Sequence, residues 1–138
     1  CSVIGNDEPT AFPPGEIATT HEFYSYDAKY IDPDGARLYI PAKLSPEMAA
    51  RIQELSLSAY RTVGACGLAR VDFFLDRSSN ELYLSEINTM PGFTSISMFP
   101  MMCMHGGMPY TTLMETLLEL GIERKKKAAS LRFSKGSL

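Results

Sequence analysis

The chain has 138 residues, 45% of them apolar and 21% charged, with a net charge of −3. That is about one domain's worth, enough for a real but modest core. No apolar run approaches the roughly 20 residues a membrane-spanning helix needs, and the composition fits neither a disordered nor a fibrous class. The first residue is Cys1 rather than Met, and no signal-peptide pattern follows it. The chain therefore reads as a piece of a longer protein that begins inside a domain.

In chain order, "CSVIG" is expected as a short strand running into a turn at Asn6-Asp7. The Pro-rich "EPTAFPPGE" reads as loop and "EIATT" as a strand. "HEFYSYDAKYIDPDGARLYIPAKL" has no clear period and reads as a long ordered loop, with one helical turn near Tyr26 to Lys29. Loops of this length are usually functional or disordered, and Tyr24, Tyr26, Tyr30 and Tyr39 argue for order.

Ser45-Pro46-Glu47 is a helix start: Ser45 caps, Pro46 suits the first helical position, and Glu47 meets the positive end of the dipole. Met48, Ile52, Leu55, Ala59 and Val63 give the apolar stripe, and Gly64 the stop. "LARVDFFLD" and "ELYLSEIN" flank the turn cluster "RSSN" and predict an antiparallel hairpin. The Met-rich run from Met90 to Met108 is expected to fill irregular core gaps. A second helix is expected from about Tyr110 to Arg124, carrying Leu113, Leu117, Leu120 and Ile122, with an acidic start at Glu115. A hairpin with packed helices gives an α+β class, mainly antiparallel.

Two features weigh toward ordinary roles. Cys1, Cys66 and Cys103 are odd in number and far apart, without C-x-x-C or a His spacing for zinc; free thiols follow, with Cys66 as a small core residue. From Arg124 onward there are six basic residues and no acidic ones, leaving −9 on the remainder. With no aromatic but Phe133 interleaved, this reads as a solvated, flexible end over 125–138, not a nucleic-acid site.

The hairpin carries the chemistry. Side chains alternate along a strand, so Arg70, Asp72 and Phe74 share one face, and Leu82, Leu84, Glu86 and Asn88 share another. If Asp72 lies opposite Glu86, Arg70 lies opposite Asn88, and all four polar groups rise from one patch beside an apolar shelf of Phe74 and Leu84. A slip of one residue would turn Glu86 and Asn88 away. Two carboxylates and a carboxamide converging there call for a cation, and hard oxygen donors suit Mg²⁺ carrying phosphate oxygens. The shelf suits a purine, and Arg70 offers forked donors to phosphate or an oxyanion. The alternative is a half-exposed sheet with an Arg–Asp pair and chance acidic neighbours. In "NTMPGFTSIS", Gly92 permits close backbone approach to a ligand, and Ser95 and Ser97 offer hydroxyls; a routine Pro-Gly turn is the alternative.

"CSVIGND", "EFYSYDAKY", "GLARVDFF" and "YLSEINTMPGFTSIS", in that order, resemble the carboxyl-terminal part of bacterial D-alanine–D-alanine ligases, which are ATP-grasp enzymes. The likeness runs from about Cys1 to Arg124, and "R-x-D" followed by "E-x-N-T-x-P-G" is specific to the family. It implies an ATP-grasp carboxyl-terminal subdomain over 1–124, part of a larger enzyme. ATP phosphorylates the carboxylate of a first D-alanine, and the amine of a second attacks the acyl phosphate. By this resemblance Asp72, Glu86 and Asn88 coordinate two Mg²⁺ ions (Mn²⁺ can substitute), with Glu86 shared. Arg70 and the Gly92 N–H hold the oxyanion, Ser97 holds the second D-alanine's carboxylate, Lys29 contacts phosphate, Phe74 lies against adenine, and Tyr30 belongs to a loop that closes over the site. Tyr30 in "DAKY" is the pattern of the dipeptide enzyme rather than the D-alanyl-D-lactate enzyme. A related ligase with another acceptor, or a non-catalytic domain of the same fold, are the alternatives.

The implied partners are ATP, D-alanine and the amino-terminal and central portions of the same protein, in a cytoplasmic homodimer, with no nucleic acid and no membrane. The chain carries no Gly-rich phosphate loop, no segment for the adenine edge and no amino-terminal α/β domain. These 138 residues alone are therefore not expected to catalyse ligation, because a half-built cleft cannot exclude water.

Overall fold

A computed structural model describes residues 1–19, 36–94 and 96–130. Strands β1 (Ser2–Gly5), β2 (Thr10–Ala11), β5 (Gly67–Leu75) and β6 (Leu82–Asn88) form one antiparallel sheet in the order β2-β1-β5-β6. Strands β3 (Glu16–Thr19) and β4 (Ala36–Tyr39) form a separate antiparallel pair. The helices are α1 (Pro46–Thr62), α2 (Met98–His105) and α3 (Tyr110–Ser130).

The sheet is a middle layer, and alternation explains how it is covered. Val3, Ala69 and Val71 point one way and pack with Tyr60 of α1. Ile4 and, partly buried, Leu68 point the other way, into a core shared with Phe99 and Cys103 of α2 and Leu113 of α3. Ser2 also faces α2: it is fully buried, and its hydroxyl donates to the Phe99 carbonyl at 3.0 Å. Because Ser2 pairs with Arg70 across the β1–β5 ladder, Arg70 rises on the α2 side, at the edge of that core. Gly5 ends β1 with φ +138°, and a Cβ there would lie 2.7 Å from the Pro9 Cα. The turn back to β2 thus needs glycine.

Ser45 caps α1 as its sequence predicts, accepting from the Met48 N–H at 3.2 Å, and Gly64 follows the helix with φ +64°. The buried stripe is not the expected one. It runs through Ile52, Ser56 and Tyr60, while Val63 is exposed. Two hydroxyls escape detection by an apolar count because each is satisfied: Ser56 donates to its own helix at Ile52 (2.7 Å), and Tyr60 donates to the Gly5 carbonyl (2.7 Å).

Burial pushes the Tyr60 hydroxyl up to about 12 from 10, and the Cys103 thiol up to about 12 from 9. Both groups hold their protons more tightly when folded. Their contribution to stability is therefore complete below pH 9 and is lost as pH rises through about 12. Urea midpoints measured from pH 8 to 12 are expected to fall in that window. Tyr60→Phe should cost about 1–2 kcal/mol for the orphaned Gly5 carbonyl and flatten the portion of the fall above pH 10.

Other expectations shift. The Pro-rich stretch contains β2, admissible because β2 is an edge strand. The stretch expected as a long loop contains β4, which pairs Glu16 with Tyr39 and Ile17 with Leu38; Tyr26 to Lys29 lie outside the described residues. The methionine run contains α2, in which Met102 is buried, but Met90 is 87% exposed. Helix α3 continues past Arg124 to Ser130 with no acidic residue in its first turn. Lys127 holds Asp7 of the β1–β2 turn at 2.7 Å, which ties part of the basic end down; residues beyond 130 are not described. All three cysteines are free, with Cys1 and Cys103 buried and Cys66 half-buried rather than in the core. No described helix is long and apolar enough to cross a membrane.

Candidate active site

The β5–β6 hairpin has the register that its polar pattern needs. Arg70 lies opposite Asn88 and Asp72 opposite Glu86, so four polar side chains share one face. The tip is closed by backbone bonds between Asp76 and both Glu81 (3.0 Å) and Asn80 (2.8 Å). Asn80 adopts φ +57°, and the Asp76 carboxylate accepts from the Ser78 N–H and hydroxyl at 2.7 Å each. Those two bonds hold the Asp76 carboxyl below its ordinary range.

Between Asp72 and Phe73 the ladder slips. Phe73 pairs with Leu84 and Phe74 with Tyr83, leaving Ser85 as the extra residue of a β-bulge. The slip corrects the expected shelf. Leu84 turns to the α1 side with Phe73, and Tyr83 takes its place beside Phe74. Phe74 and Tyr83 are 69% and 52% exposed, an apolar platform left uncovered next to the polar group. The signal missed in the sequence is a mismatch: residues 73–75 separate Asp72 from Asp76, whereas residues 82–85 separate Glu86 from Glu81.

Arg70 organises the carboxylates. Its Nε donates to Asp72 Oδ1 at 2.8 Å and its Nη2 to Asp72 Oδ2 at 2.8 Å, a two-pronged pair. The same Nη2 lies 3.5 Å from Glu86 Oε1. The three side chains are 20%, 31% and 59% exposed, so the pair is largely shielded while Glu86 meets solvent. Asn88 Oδ1 accepts the Met90 N–H at 3.1 Å, which fixes the carboxamide with its oxygen turned along the loop. Among the described residues, no three His, Cys, Asp or Glu side chains cluster as a metal site by themselves. An ion at the hairpin would therefore draw on the Asn88 oxygen as well as on Asp72 and Glu86. Two carboxylates and a carboxamide are the hard oxygen donors that Mg²⁺ takes, with open positions left for other oxygens.

Gly92 and Ser97 form a second group. A Cβ on Gly92 would sit 2.9 Å from the Ser97 Oγ, so glycine is what lets the loop pass over this hydroxyl. Ser97 stands at the cap position of α2 without bonding to it. Instead its Oγ accepts the Thr94 N–H at 3.0 Å and lies 2.9 Å from Thr94 Oγ1. Sequence reading passed over Thr94, though a Thr and a Ser three positions apart before a helix is a recognisable local pattern. The Ser97 side chain thus leaves the first-turn N–H groups of α2, at the positive end of its dipole, uncapped. Lys29, Tyr30 and Ser95 lie outside the described residues. An open hollow of about 670 Å³ lined by Glu16, Tyr39, Lys43, Met48, Leu75 and Arg77 includes none of the patch residues.

Comparison with known proteins identifies the family. Residues 1–119 match the family model described as D-ala D-ala ligase C-terminus. A D-alanine–D-alanine ligase of Treponema denticola is 50% identical over 132 residues, covering 96% of this chain and 36% of that protein. The D-alanine–D-alanine ligase structure from Coxiella burnetii superposes with a TM-score of 0.77 at 36% identity, covering 94% of this chain and 32% of that one. A D-Ala:D-Ser ligase structure from Enterococcus faecalis superposes with a TM-score of 0.76 at 35% identity, covering 87% and 34%. The chain spans about a third of the length of these relatives. The matched stretch takes in the whole sheet, the hairpin patch and the Gly92–Ser97 turn, and this chain belongs to the family of D-alanine–D-alanine ligase carboxyl-terminal regions.

Proposed function

We propose that this chain supplies the phosphate- and metal-handling part of an ATP-dependent ligase that joins two D-alanines into D-alanyl-D-alanine for cell-wall peptidoglycan in the cytoplasm. The observation that carries the reading is the hairpin register: one guanidinium nitrogen reaches both carboxylates across the Asp72–Glu86 pair. Asp72, Glu86 and Asn88 would hold two Mg²⁺ ions, with Mn²⁺ able to replace them and Glu86 common to both. The ions supply charge neutralisation for the transferring and leaving oxygens.

The chain's own groups then divide the work. The first D-alanine's carboxylate oxygen takes the γ-phosphoryl group of ATP, and ADP leaves. The second D-alanine's amine attacks the resulting acyl carbon and loses a proton. The tetrahedral oxyanion collapses with expulsion of phosphate. Arg70 and the Gly92 N–H donate to the developing oxyanion; a single such donor is worth about 10²–10³ in rate. Ser97, at the uncapped start of α2, donates its hydroxyl to the second carboxylate, where the helix dipole adds to the attraction. Phe74, with Tyr83 beside it, lies against adenine. Lys29 meets phosphate as a point charge, and Tyr30 closes with its loop to exclude water from the acyl phosphate.

A chimera tests this: the matching third of the Treponema denticola ligase is exchanged for this chain. The chimera is expected to release phosphate only when D-alanine and Mg·ATP are both present, and to form D-alanyl-D-alanine. The 138 residues alone should release none. A well-folded chimera without D-alanine-dependent phosphate release would refute the assignment. Likeness to the D-Ala:D-Ser ligase gives a second reading, in which the acceptor is D-serine. Equal or greater turnover with D-serine, or with D-lactate as a hydroxyl acceptor, would replace D-alanine as the second substrate.

A further inference from the structure

We propose that Arg70 is the resident counter-cation of the Asp72–Glu86 pair and must give way when a divalent ion occupies the patch. The proposal rests on the divalent-cation reading above and concerns what the patch does before the ion arrives. Like charges directly opposite on neighbouring strands destabilise a sheet, and here Asp72 faces Glu86. The chain answers with its own cation. Arg70, two residues from Asp72 on the same face, engages both Asp72 oxygens at 2.8 Å and holds Glu86 within 3.5 Å. Both prongs of the guanidinium fork therefore lie on the carboxylate that a divalent ion would need, and the fork is 80% shielded from solvent, where opposition between like charges is strong.

A guanidinium bonded this way and a divalent ion cannot share Asp72 without mutual repulsion. Arg70 opposes cation entry, and cation entry turns Arg70 from an internal partner toward whatever anion the ion brings with it. The patch thereby couples two events: a phosphate finds the arginine directed at it only once the ion has taken over Asp72. Arg70 would then enforce cation-before-anion order in addition to holding an oxyanion.

The test is Mn²⁺ binding to the 138-residue chain, read by the loss of the free-ion electron paramagnetic resonance signal without nucleotide. Arg70→Gln is expected to bind Mn²⁺ about tenfold more tightly than the unaltered chain, and Arg70→Lys, which keeps the charge, to stay close to it. Asp72→Asn and Glu86→Gln should weaken binding in every background. If Arg70→Gln binds no more tightly while Asp72→Asn still abolishes binding, the cation reading stands and displacement is wrong. If Arg70→Lys tightens as much as Arg70→Gln, charge opposition is wrong. If binding ignores Asp72 and Glu86 in all variants, the cation reading itself fails and displacement fails with it. Should Arg70→Gln fail to fold, the unaltered chain still decides. Its Arg70 Nε–H proton resonance should shift and lose exchange protection as Mg²⁺ is added. An unmoved, still protected resonance at saturating Mg²⁺ would overturn the proposal.

Discussion

Glu86→Gln in the ligase chimera is expected to lower kcat at least about a hundredfold and to leave the thermal midpoint almost unchanged. The two halves of this result have separate causes. In the role proposed above, Glu86 would hold cations that supply several kcal/mol of transition-state charge stabilisation, equivalent to two or more powers of ten in rate. Its structural contribution is small. Glu86 is 59% exposed and lies 3.5 Å from the Arg70 guanidinium; exposed pairs of this kind are worth about 0–1 kcal/mol. Gln preserves size and shape while removing the charge. A large fall in midpoint would place Glu86 among the structural residues, and unchanged turnover would remove it from the cation site. Steady-state phosphate release together with a thermal melt separates these outcomes.

Phe99→Ala is expected to be the most damaging single change outside the hairpin, at about 3–5 kcal/mol. Phe99 is fully buried where α2 meets the sheet, and its ring lies 5.7 Å from Phe93, centroid to centroid. Its carbonyl receives the hydroxyl of buried Ser2, so a collapse there also disturbs the strand beside Arg70. Domains are stable by only about 5–15 kcal/mol in total, so the variant should be partly unfolded at ambient temperature. Phe99→Leu refills much of the volume and should cost less than half as much. Met90→Ala, at an 87% exposed position in the adjoining loop, should be neutral within about 0.5 kcal/mol. Urea denaturation of the three variants gives the order; a mild Phe99→Ala would mean that α2 is not anchored through this ring.

The parts of the molecule legible in the sequence are those where local chemistry and tertiary packing agree. Ser45-Pro46-Glu47 starts a helix in any context, and "RSSN" between two alternating runs makes a hairpin. The pairing of Arg70 with Asn88 and Asp72 with Glu86 could be written down because a period of two leaves only two choices of face. The misreadings share a different origin. Helix α2 contains Phe99-Pro100 and no regular stripe, and it exists because Phe99, Met102 and Cys103 have a core to enter. Strand β2 is two residues long and has no pattern to detect; it is held by pairing with Val3 and Ile4. Ser56 and Tyr60 were passed over in α1 because their burial depends on acceptors, Ile52 and Gly5, that no periodicity records. The Gly92–Ser97 contact has the same character: each residue is ordinary alone, and only the folded turn brings the hydroxyl beneath the glycine.

The unpaired Ser85 divides the hairpin into two mechanical sections. Toward α2, β1 braces the strand on the other side as far as Arg70, which pairs with Ser2, and Val71, which exchanges backbone bonds with Cys1. Toward the tip, the rungs from Phe73 outward can twist or change length against a joint that is already irregular. Insertions and deletions around residues 76–81 would then be absorbed at that joint, leaving the spacing of Asp72 and Glu86 unchanged.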